Sequence, residues 1–280
     1  DVPDEMRILF SDITEEDADA RLQALGFKDA PAAYKNLCLL KDAPAIMRTG
    51  SKGLMRLERL LPAFIARAAA SPDPDMALAH IERFVSAVGQ RSLFYSLLGE
   101  NPAALDKLAE LFGSSAFLSR GIIERPESLD MLLSKELSVP YKTKAAFFSE
   151  FLDEVNDSAK DYEEKLGSLR ELRNQEVLRI GVNDVFGSIT AHQVSMQMTF
   201  LAEAALEAAY ELALSELKKT YGLPPLMDAR FAVIGMGKLG GGELIYGSDL
   251  DIIFVYSGDD ADGRTDGAKP ISSHEFFVKL

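Results

Sequence analysis

Two aspartates one residue apart, Asp249 and Asp251, are the side chains whose type and spacing are best suited to chemistry in this sequence. The apolar residues Leu250–Tyr256 predict a β-strand, on which side chains at i and i+2 point to the same face. Both carboxylates would then project together, while Leu250 and Ile252 face the core. Like charges this close repel one another, and Mg²⁺ bound to carboxylates and substrate phosphates relieves that repulsion. The spacing therefore predicts a metal site for phosphate chemistry.

A glycine-rich segment precedes the aspartates and joins them to a second apolar run. The run Phe231–Gly235 predicts a short buried strand, because β-branched and apolar residues end there at a glycine. Glycines permit backbone conformations and close approaches that side chains forbid. Gly247 and Ser248 offer a bare backbone N–H and a hydroxyl to a phosphate, and Lys238 either approaches phosphate or is an exposed lysine of the turn. The predicted nucleotide-binding residues are Gly237, Lys238, Gly247 and Ser248.

Three interpretations of the glycine-rich segment differ in the spacing that they require. Residues Gly235–Gly240 match the G-x-G-x-x-G pattern of a dinucleotide site, but the second apolar run follows too soon for the crossover helix of such a site. A P-loop requires Ser or Thr after the lysine, and Leu239 stands there. The spacing therefore favours a metal-dependent nucleotidyl-transfer site at Gly247–Asp251. A purely structural explanation, in which the aspartates end an exposed strand and face only water, stays open.

Composition bounds the kind of protein that surrounds this site. The 280 residues are 47% hydrophobic and 26% charged, which is typical of a globular chain with one large or two smaller domains. A net charge of -14 argues against a nucleic-acid partner, because such proteins need a basic surface. Cys38 is the single cysteine, so no intrachain disulfide can form. The sequence has neither an apolar run of about 18 residues nor a signal-peptide pattern, so we expect a cytoplasmic protein with no membrane partner.

Helical patterns dominate the residues before the glycine-rich segment. From Thr14 to Leu133, short amphipathic stretches separated by proline and glycine predict an all-α bundle. A Ser-Val-Pro break follows at residues 138–140. Two longer helices are then predicted over Lys144–Val182 and Thr190–Thr220, with a Gly-Ser bend between them. The second, alanine-rich helix is expected to pack against the strands that carry the aspartates.

The segment Gly235–Tyr256, GMGKLGGGELIYGSDLDIIFVY, resembles the signature of the glutamine synthetase adenylyltransferases, members of the DNA polymerase β-like nucleotidyltransferase superfamily. These bifunctional enzymes attach AMP to a tyrosine of glutamine synthetase and remove it again. The resemblance implies that Asp249 and Asp251 are catalytic residues and Mg²⁺ ligands. It further implies that Gly247 and Ser248 contact the triphosphate of ATP.

The resemblance extends to the helix before the strands. Arg179 lies ahead of Asn183 and Asp184, as in the arginine-bearing helix of the family, although members commonly carry Arg-Asp where this chain has Asn-Asp. Two roles therefore stay open for Arg179 and Asp184, one structural and one in the active site.

The function implied by the resemblance is transfer of AMP from ATP to a tyrosine of glutamine synthetase, which regulates nitrogen assimilation. Residues Leu25 to Leu133 resemble the region that introduces the adenylylating, C-terminal half of the family, so this half is favoured. One alternative is the adenylyl-removing half, which acts by phosphorolysis. A second is a catalytically incomplete helical fragment that docks glutamine synthetase or the nitrogen-signalling PII protein.

The combined expectation is a mostly helical α+β protein. A helical bundle, residues 1–137, leads into residues 138–280, which hold the long helical pair and the beginning of a nucleotidyltransferase domain with a mixed β-sheet. The chain starts without methionine and stops just after the predicted start of a helix at Ser272, so we expect a fragment. A third carboxylate, which the resemblance implies for the metal site, is expected beyond Leu280.

Overall fold

The computed structural model describes residues 14–42, 51–89, 92–134, 139–224, 231–257 and 263–280. Helices make up most of these residues, and two strands form a small sheet, which confirms the prediction of a mostly helical α+β fold. The chain divides into two compact units, Asp1–Ser138 and Val139–Leu280. The described part of the chain contains no helix with the length and hydrophobicity of a membrane span.

The first unit is helical over its described residues, as the sequence predicts. Its helices are α1 (Glu15–Ala24), α2 (Ala30–Asp42), α3 (Ser51–Ala70), α4 (Pro74–Val88), α5 (Ser92–Glu100), α6 (Pro102–Ser114), α7 (Ala116–Glu124) and α8 (Leu129–Leu133), with a 3₁₀ turn at Pro126–Ser128. Helix starts follow local capping residues: the Thr14 hydroxyl accepts a hydrogen bond from the Asp17 N–H at 3.2 Å before α1. The Asp73 carboxylate accepts one from the Met76 N–H at 3.0 Å before α4. Such caps stabilise a helix by about 1 kcal/mol each.

Helix α4 lies at the centre of the first unit, since it packs against α2, α3, α6 and α7. Its buried face includes Leu78, Ile81 and Phe84, and the centroid of the Phe84 ring is 5.8 Å from that of Phe112 on α6. Burial of such side chains contributes roughly 1.5–3 kcal/mol each. His80 is also buried, and its Nδ1 forms a 2.9 Å hydrogen bond with the Phe112 carbonyl. This histidine is therefore part of the core.

The second unit combines three long helices with the small sheet. Its elements are α9 (Lys144–Asn156), α10 (Tyr162–Val185), α11 (Ala191–Tyr221), β1 (Phe231–Gly235), α12 (Gly237–Gly241), β2 (Ile252–Tyr256) and α13 (Ser273–Lys279). Helices α9, α10 and α11 pack on one another, α13 packs on α11, and α12 packs on β1. The hydrophobic core includes Phe147, Phe151, Ile180, Leu201, Leu239 and Leu244. The last two belong to the glycine-rich segment, so that segment is anchored in the core.

The two strands pair antiparallel, with Phe231 opposite Tyr256 and Gly235 opposite Ile252. An antiparallel pair needs only a short connection, unlike the crossover helix of a parallel pair. This geometry agrees with the short spacing that excluded a dinucleotide fold.

The prediction of one continuous helix from Lys144 to Val182 is wrong. The structure has α9 and α10 instead, with residues 157–161 between them. The Asp157 carboxylate accepts a hydrogen bond from the Ala159 N–H at 2.9 Å, and Asp161 forms a reciprocal capping box with Glu164. Short acidic side chains satisfy backbone N–H groups in turns and at helix starts, and so compete with a continuing helix.

A buried ionic network fixes the start of the second unit. Arg179 on α10 is fully buried. Its guanidinium donates hydrogen bonds to Glu176 Oε2 (2.7 Å), Gln197 Oε1 (2.7 Å) and the carbonyls of Val139 (2.9 Å) and Pro140 (3.2 Å). Lys142 Nζ completes the group with ion pairs of 2.7 Å to Glu150 and Glu176. This Arg179 network, formed by Lys142, Glu150, Glu176, Arg179 and Gln197, ties the first residues of the unit to α9, α10 and α11.

Candidate functional site

The glycine-rich segment after β1 forms α12, which approaches the end of β1 closely at two glycines, Gly235 and Gly240. Leu239 of α12 is buried. A Cβ atom at Gly240 would lie 2.5 Å from the carbonyl oxygen of Gly235, closer than any normal contact. The approach of α12 to β1 therefore requires glycine at position 240.

A further contact joins this segment to Asp251. The Met236 N–H donates a 2.8 Å hydrogen bond to the Asp251 carbonyl, which extends the strand pairing by one position beyond Gly235 and Ile252. Gly237 has a φ of 51°, in the left-handed region, and a Cβ atom there would lie 2.8 Å from Asp251 Oδ2. The Asp251 carboxylate thus lies against the glycine backbone, and a larger residue at position 237 would displace it.

The prediction that the second strand starts at Leu250, with Leu250 facing the core, is wrong. β2 starts at Ile252, and Leu250, which precedes the strand, is 40% exposed. Side chains alternate along a strand, so Asp251 continues the face of Ile253 and Val255, which are 48% and 45% exposed. Asp251 therefore faces outward, whereas Ile252 packs against the core as expected.

Residues 245–248 form a surface turn between α12 and β2, and Asp249 follows it. Gly247 has a φ of 69°. The Ser248 hydroxyl oxygen accepts a hydrogen bond from the Ile245 N–H at 3.2 Å, and the Ser248 N–H donates one to the Ile245 carbonyl at 3.1 Å. Because the hydroxyl acts as an acceptor in this bond, its proton can still be donated to a phosphate oxygen. Asp249 follows with an exposed side chain.

Tyr246 lies within this turn and attaches it to α10. Its ring packs against the core, and its hydroxyl donates a 3.0 Å hydrogen bond to Asp184 Oδ2. Burial raises the pKa of Tyr246, and the negative charge of Asp184 raises it further. The hydroxyl therefore stays a protonated donor at neutral pH. The i, i+2 spacing of Leu244 and Tyr246 was a signal for their burial, but nothing in the sequence indicates Asp184 as the partner.

Arg179 and Asp184, whose roles the sequence left open, both have protein partners. Arg179 is fully buried within the Arg179 network, so its guanidinium is not exposed to a nucleotide. Asp184 lies next to the last residue of α10 and accepts the hydrogen bond from Tyr246.

The predicted site residues thus fall into three places. Gly237 and Asp251 are in close approach. Gly247 and Ser248 end the turn, and Asp249 follows directly after it. Lys238 is exposed on α12, and within the described residues it forms no ion pair with either aspartate.

The two aspartates suit a partly hydrated Mg²⁺. Among the residues that the structure describes, no group of three or more His, Cys, Asp and Glu side chains could hold a metal ion. Mg²⁺ does not need such a group, because it keeps several waters and binds one or two carboxylates together with substrate phosphates. Asp249 and Asp251 offer two hard anionic donors beside a turn with an exposed backbone. Their chemistry therefore fits Mg²⁺ bound jointly with a polyphosphate.

A cavity of about 470 Å³ lies on the helix-facing side of β1. Phe231 and Val233 line it from the strand and Glu203 lines it from α11, where it forms a 2.8 Å ion pair with Lys144. Because strand side chains alternate, Phe231 and Val233 point away from the face that Asp251 continues. The cavity therefore lies across β1 from Asp251, and Gly235, Leu239 and Gly240 of the glycine-rich segment line its edge.

Comparison with known proteins identifies the family of this chain. Residues 105–280, more than half of the chain, match the family model for glutamate-ammonia ligase adenylyltransferase. Similar curated proteins carry the name bifunctional glutamine synthetase adenylyltransferase/adenylyl-removing enzyme. The one from Thioalkalivibrio sulfidiphilus is 35% identical over 96% of this chain, that from Pseudomonas putida 35% identical over 95%, and that from Pseudomonas aeruginosa 34% identical over 96%. This chain spans 28% of the length of each of these relatives.

The chain therefore belongs to the glutamate-ammonia ligase adenylyltransferase family, which confirms the resemblance drawn from residues Gly235–Tyr256. The matched region contains the whole second unit, including the glycine-rich segment, the turn and both aspartates.

Proposed function

We propose that this chain carries the metal and nucleotide site of an adenylyltransferase that moves AMP from ATP to a tyrosine of glutamine synthetase. The close approach of the Asp251 carboxylate to the backbone of Gly237 carries the proposal, because it brings a proposed Mg²⁺ ligand next to a proposed nucleotide-binding residue. Membership of the family supports the same chemistry. In this proposal Mg²⁺ is held by Asp249 and Asp251, and the nucleotide is held by Gly237, Lys238, Gly247 and Ser248.

Three of the four nucleotide-binding residues have roles that follow from their chemistry. The Ser248 hydroxyl and the Gly247 N–H donate hydrogen bonds to phosphate oxygens, and the Lys238 ammonium offsets phosphate charge. When bound, Mg²⁺ stabilises the negative charge of the phosphates in an in-line displacement. The residues of this chain thus hold the α-phosphate in place for attack by the tyrosine hydroxyl of the target, with pyrophosphate as the leaving group.

We favour the adenylylating, C-terminal half of the family over the adenylyl-removing half. The support is the resemblance of residues Leu25 to Leu133 to the region that introduces the adenylylating half. The names of the relatives include both activities. The two directions have different requirements: one incorporates labelled AMP from ATP into glutamine synthetase, and the other transfers AMP from adenylylated glutamine synthetase to inorganic phosphate, which forms ADP. Assays of both directions on the same preparation distinguish the two halves.

Calorimetric titration of ATP in the presence of Mg²⁺ tests the two carboxylates. Asp249→Asn and Asp251→Asn keep the size of the side chain and remove its charge. We expect each to raise the Kd for ATP by more than about tenfold, the lower end of what even outer-shell substitutions cost a metal site. Asp153→Asn changes an exposed aspartate on α9 and serves as the matched control. Parent-like affinity in both site variants would contradict the proposed metal site.

Docking of glutamine synthetase or PII is the second candidate function. The observation that favours it is the first unit itself, a compact helical body that holds none of the proposed nucleotide-binding residues. Co-purification of each partner with the complete chain, with and without the Asp249→Asn/Asp251→Asn pair, separates the two modes of binding. Capture that survives the double substitution supports a docking surface, and capture that is lost indicates an encounter through the proposed site.

A further inference from the structure

Tyr246 lies at the border between the core of the second unit and the surface turn of the proposed site. Leu244, two residues earlier, is 2% exposed, and the Tyr246 ring packs against the same core. Gly247 follows with its φ of 69°, and Asp249 is exposed. The chain therefore leaves the core at Tyr246, so the position of this ring determines the position of the turn.

The hydroxyl of Tyr246 is bonded to a different and well-anchored element. Its partner, Asp184, lies at the end of α10 and accepts the hydrogen bond at 3.0 Å. One turn earlier, Arg179 is fully buried, and its carbonyl accepts a 2.9 Å hydrogen bond from Asn183 Nδ2. Because α10 is held by the Arg179 network, Asp184 offers Tyr246 a fixed acceptor.

The turn itself is tied to Tyr246 by short local bonds. Ser248 makes two hydrogen bonds to Ile245, one through its hydroxyl and one through its N–H. These bonds close a four-residue turn that has Tyr246 inside it. A displacement of the Tyr246 ring therefore moves the Ser248 hydroxyl and the adjacent Asp249 carboxylate together.

We infer that Asp184 and Tyr246 form a positioning pair, whose hydrogen bond holds Ser248 and Asp249 where Mg²⁺ and ATP bind. The inference rests on the proposed function. Neither member of the pair touches the nucleotide, since both act through the turn. Hydrogen bonds to charged groups are among the stronger ones in proteins, and loss of this bond is expected to weaken nucleotide binding by about tenfold.

A double-mutant cycle on Mg²⁺-dependent ATP affinity tests the pair. Tyr246→Phe and Asp184→Ala are each expected to raise the Kd for ATP by about tenfold. The double variant should raise it by about the same factor, because the second substitution removes a partner whose bond is already broken. Asp184→Asn keeps an acceptor oxygen and should retain most of the affinity. Tyr162→Phe, at an exposed tyrosine of α10, is the control for loss of a hydroxyl.

Melting temperatures measured on the same variants separate positioning from folding. A contact that serves only stability would lower the melting temperature while the folded variants bind ATP like the parent, and this result would overturn the inference. Single effects that multiply in the double variant would overturn it as well. If Tyr246→Phe binds like the parent while Asp249→Asn does not, the positioning pair fails and the proposed function stands. If Asp249→Asn and Asp251→Asn both bind like the parent as well, the proposed function fails.

Discussion

The second unit contains two groups of charged side chains in opposite surroundings. In the Arg179 network, Arg179 is 0% and Glu176 3% exposed, and opposite charges are in direct contact. Asp249 and Asp251 lie at the surface, with like charges one residue apart. The first group ties three helices together and offers nothing to a ligand. The second exposes its carboxylates to solvent, so we expect stability and the proposed chemistry to be separated within one unit.

Electrostatics explains why the two groups differ in composition. A buried charge loses its hydration, so it must be paired and hydrogen-bonded in full, and removal of one partner leaves the other uncompensated. Exposed carboxylates keep their water and need no protein partner, and their mutual repulsion favours a bound cation. The charges of Arg179 and Glu176 are therefore closed to ligands, whereas the two exposed carboxylates can accept a cation. Substitutions in the two groups should separate these roles.

The largest expected effect is loss of the Arg179 guanidinium. Arg179→Ala removes the guanidinium from Glu176 Oε2, while Lys142 Nζ still pairs with Glu176 Oε1. Breaking a buried pair costs about 3–5 kcal/mol, and the remaining pair places the expected loss at the lower end, about 3 kcal/mol. Urea unfolding of the complete chain measures the change. Arg173→Ala, at an exposed arginine of the same helix, should change the free energy of unfolding by less than about 0.5 kcal/mol. Equal effects of the two substitutions would show that the buried network does not stabilise the unit.

A smaller effect is expected where the proposed site depends on backbone packing instead of charge. Gly240→Ala places a Cβ atom 2.5 Å from the Gly235 carbonyl oxygen, and the resulting strain should cost about 1–3 kcal/mol. The adjacent Gly241→Ala is the matched control, since its Cβ would meet only the Glu243 side chain, at 3.7 Å. Thermal unfolding of both variants checks the difference. A Gly241→Ala variant that loses as much stability as Gly240→Ala would mean that the close approach of α12 to β1 is not the cause.

Local chemistry made most of the fold predictable from the sequence. Thr14 and Thr190 both cap helices that the sequence predicts to begin there, because a cap acts on the N–H groups of its own first turn. The same kind of signal was present in Asp161 and Glu164, whose capping box starts α10. Because the residues on both sides of this capping box have a helical pattern, the sequence predicted one continuous helix where the structure has α9 and α10.

Contacts between distant residues could not be predicted in the same way. The aspartates and glycines of the proposed site were visible as a pattern, but the approach of the Asp251 carboxylate to Gly237 depends on the pairing of β1 with β2. The hydrogen bond from Tyr246 to Asp184 joins residues 62 positions apart and depends on the packing of α10. Sequence spacing predicts interactions between residues that are close along the chain. These two contacts join distant residues, so they depend on tertiary structure.

The smallest expected effect on stability belongs to the proposed metal site. Asp249→Asn removes one of two neighbouring negative charges at the surface, so the free energy of unfolding should change by less than about 0.5 kcal/mol. Because the substitution relieves repulsion between the two charges, the expected change is a slight increase. Unfolding in the presence of Mg²⁺ and ATP gives the contrast. A ligand that binds only the folded state stabilises it by about 2.7 kcal/mol at 100 times its Kd.

The parent chain should gain that stabilisation, and Asp249→Asn at the same ligand concentration should gain little. The Asp153→Asn control should behave like the parent, because its carboxylate lies on α9, outside the turn. A variant that loses stability without ligand would assign Asp249 a role like that of Arg179, and the separation between buried and exposed charges would fail. A variant that is stabilised as much as the parent would show that Asp249 holds no metal. If Asp249→Asn keeps the stability of the parent without ligand and loses the stabilisation by Mg²⁺ and ATP, Asp249 serves ligand binding and not folding.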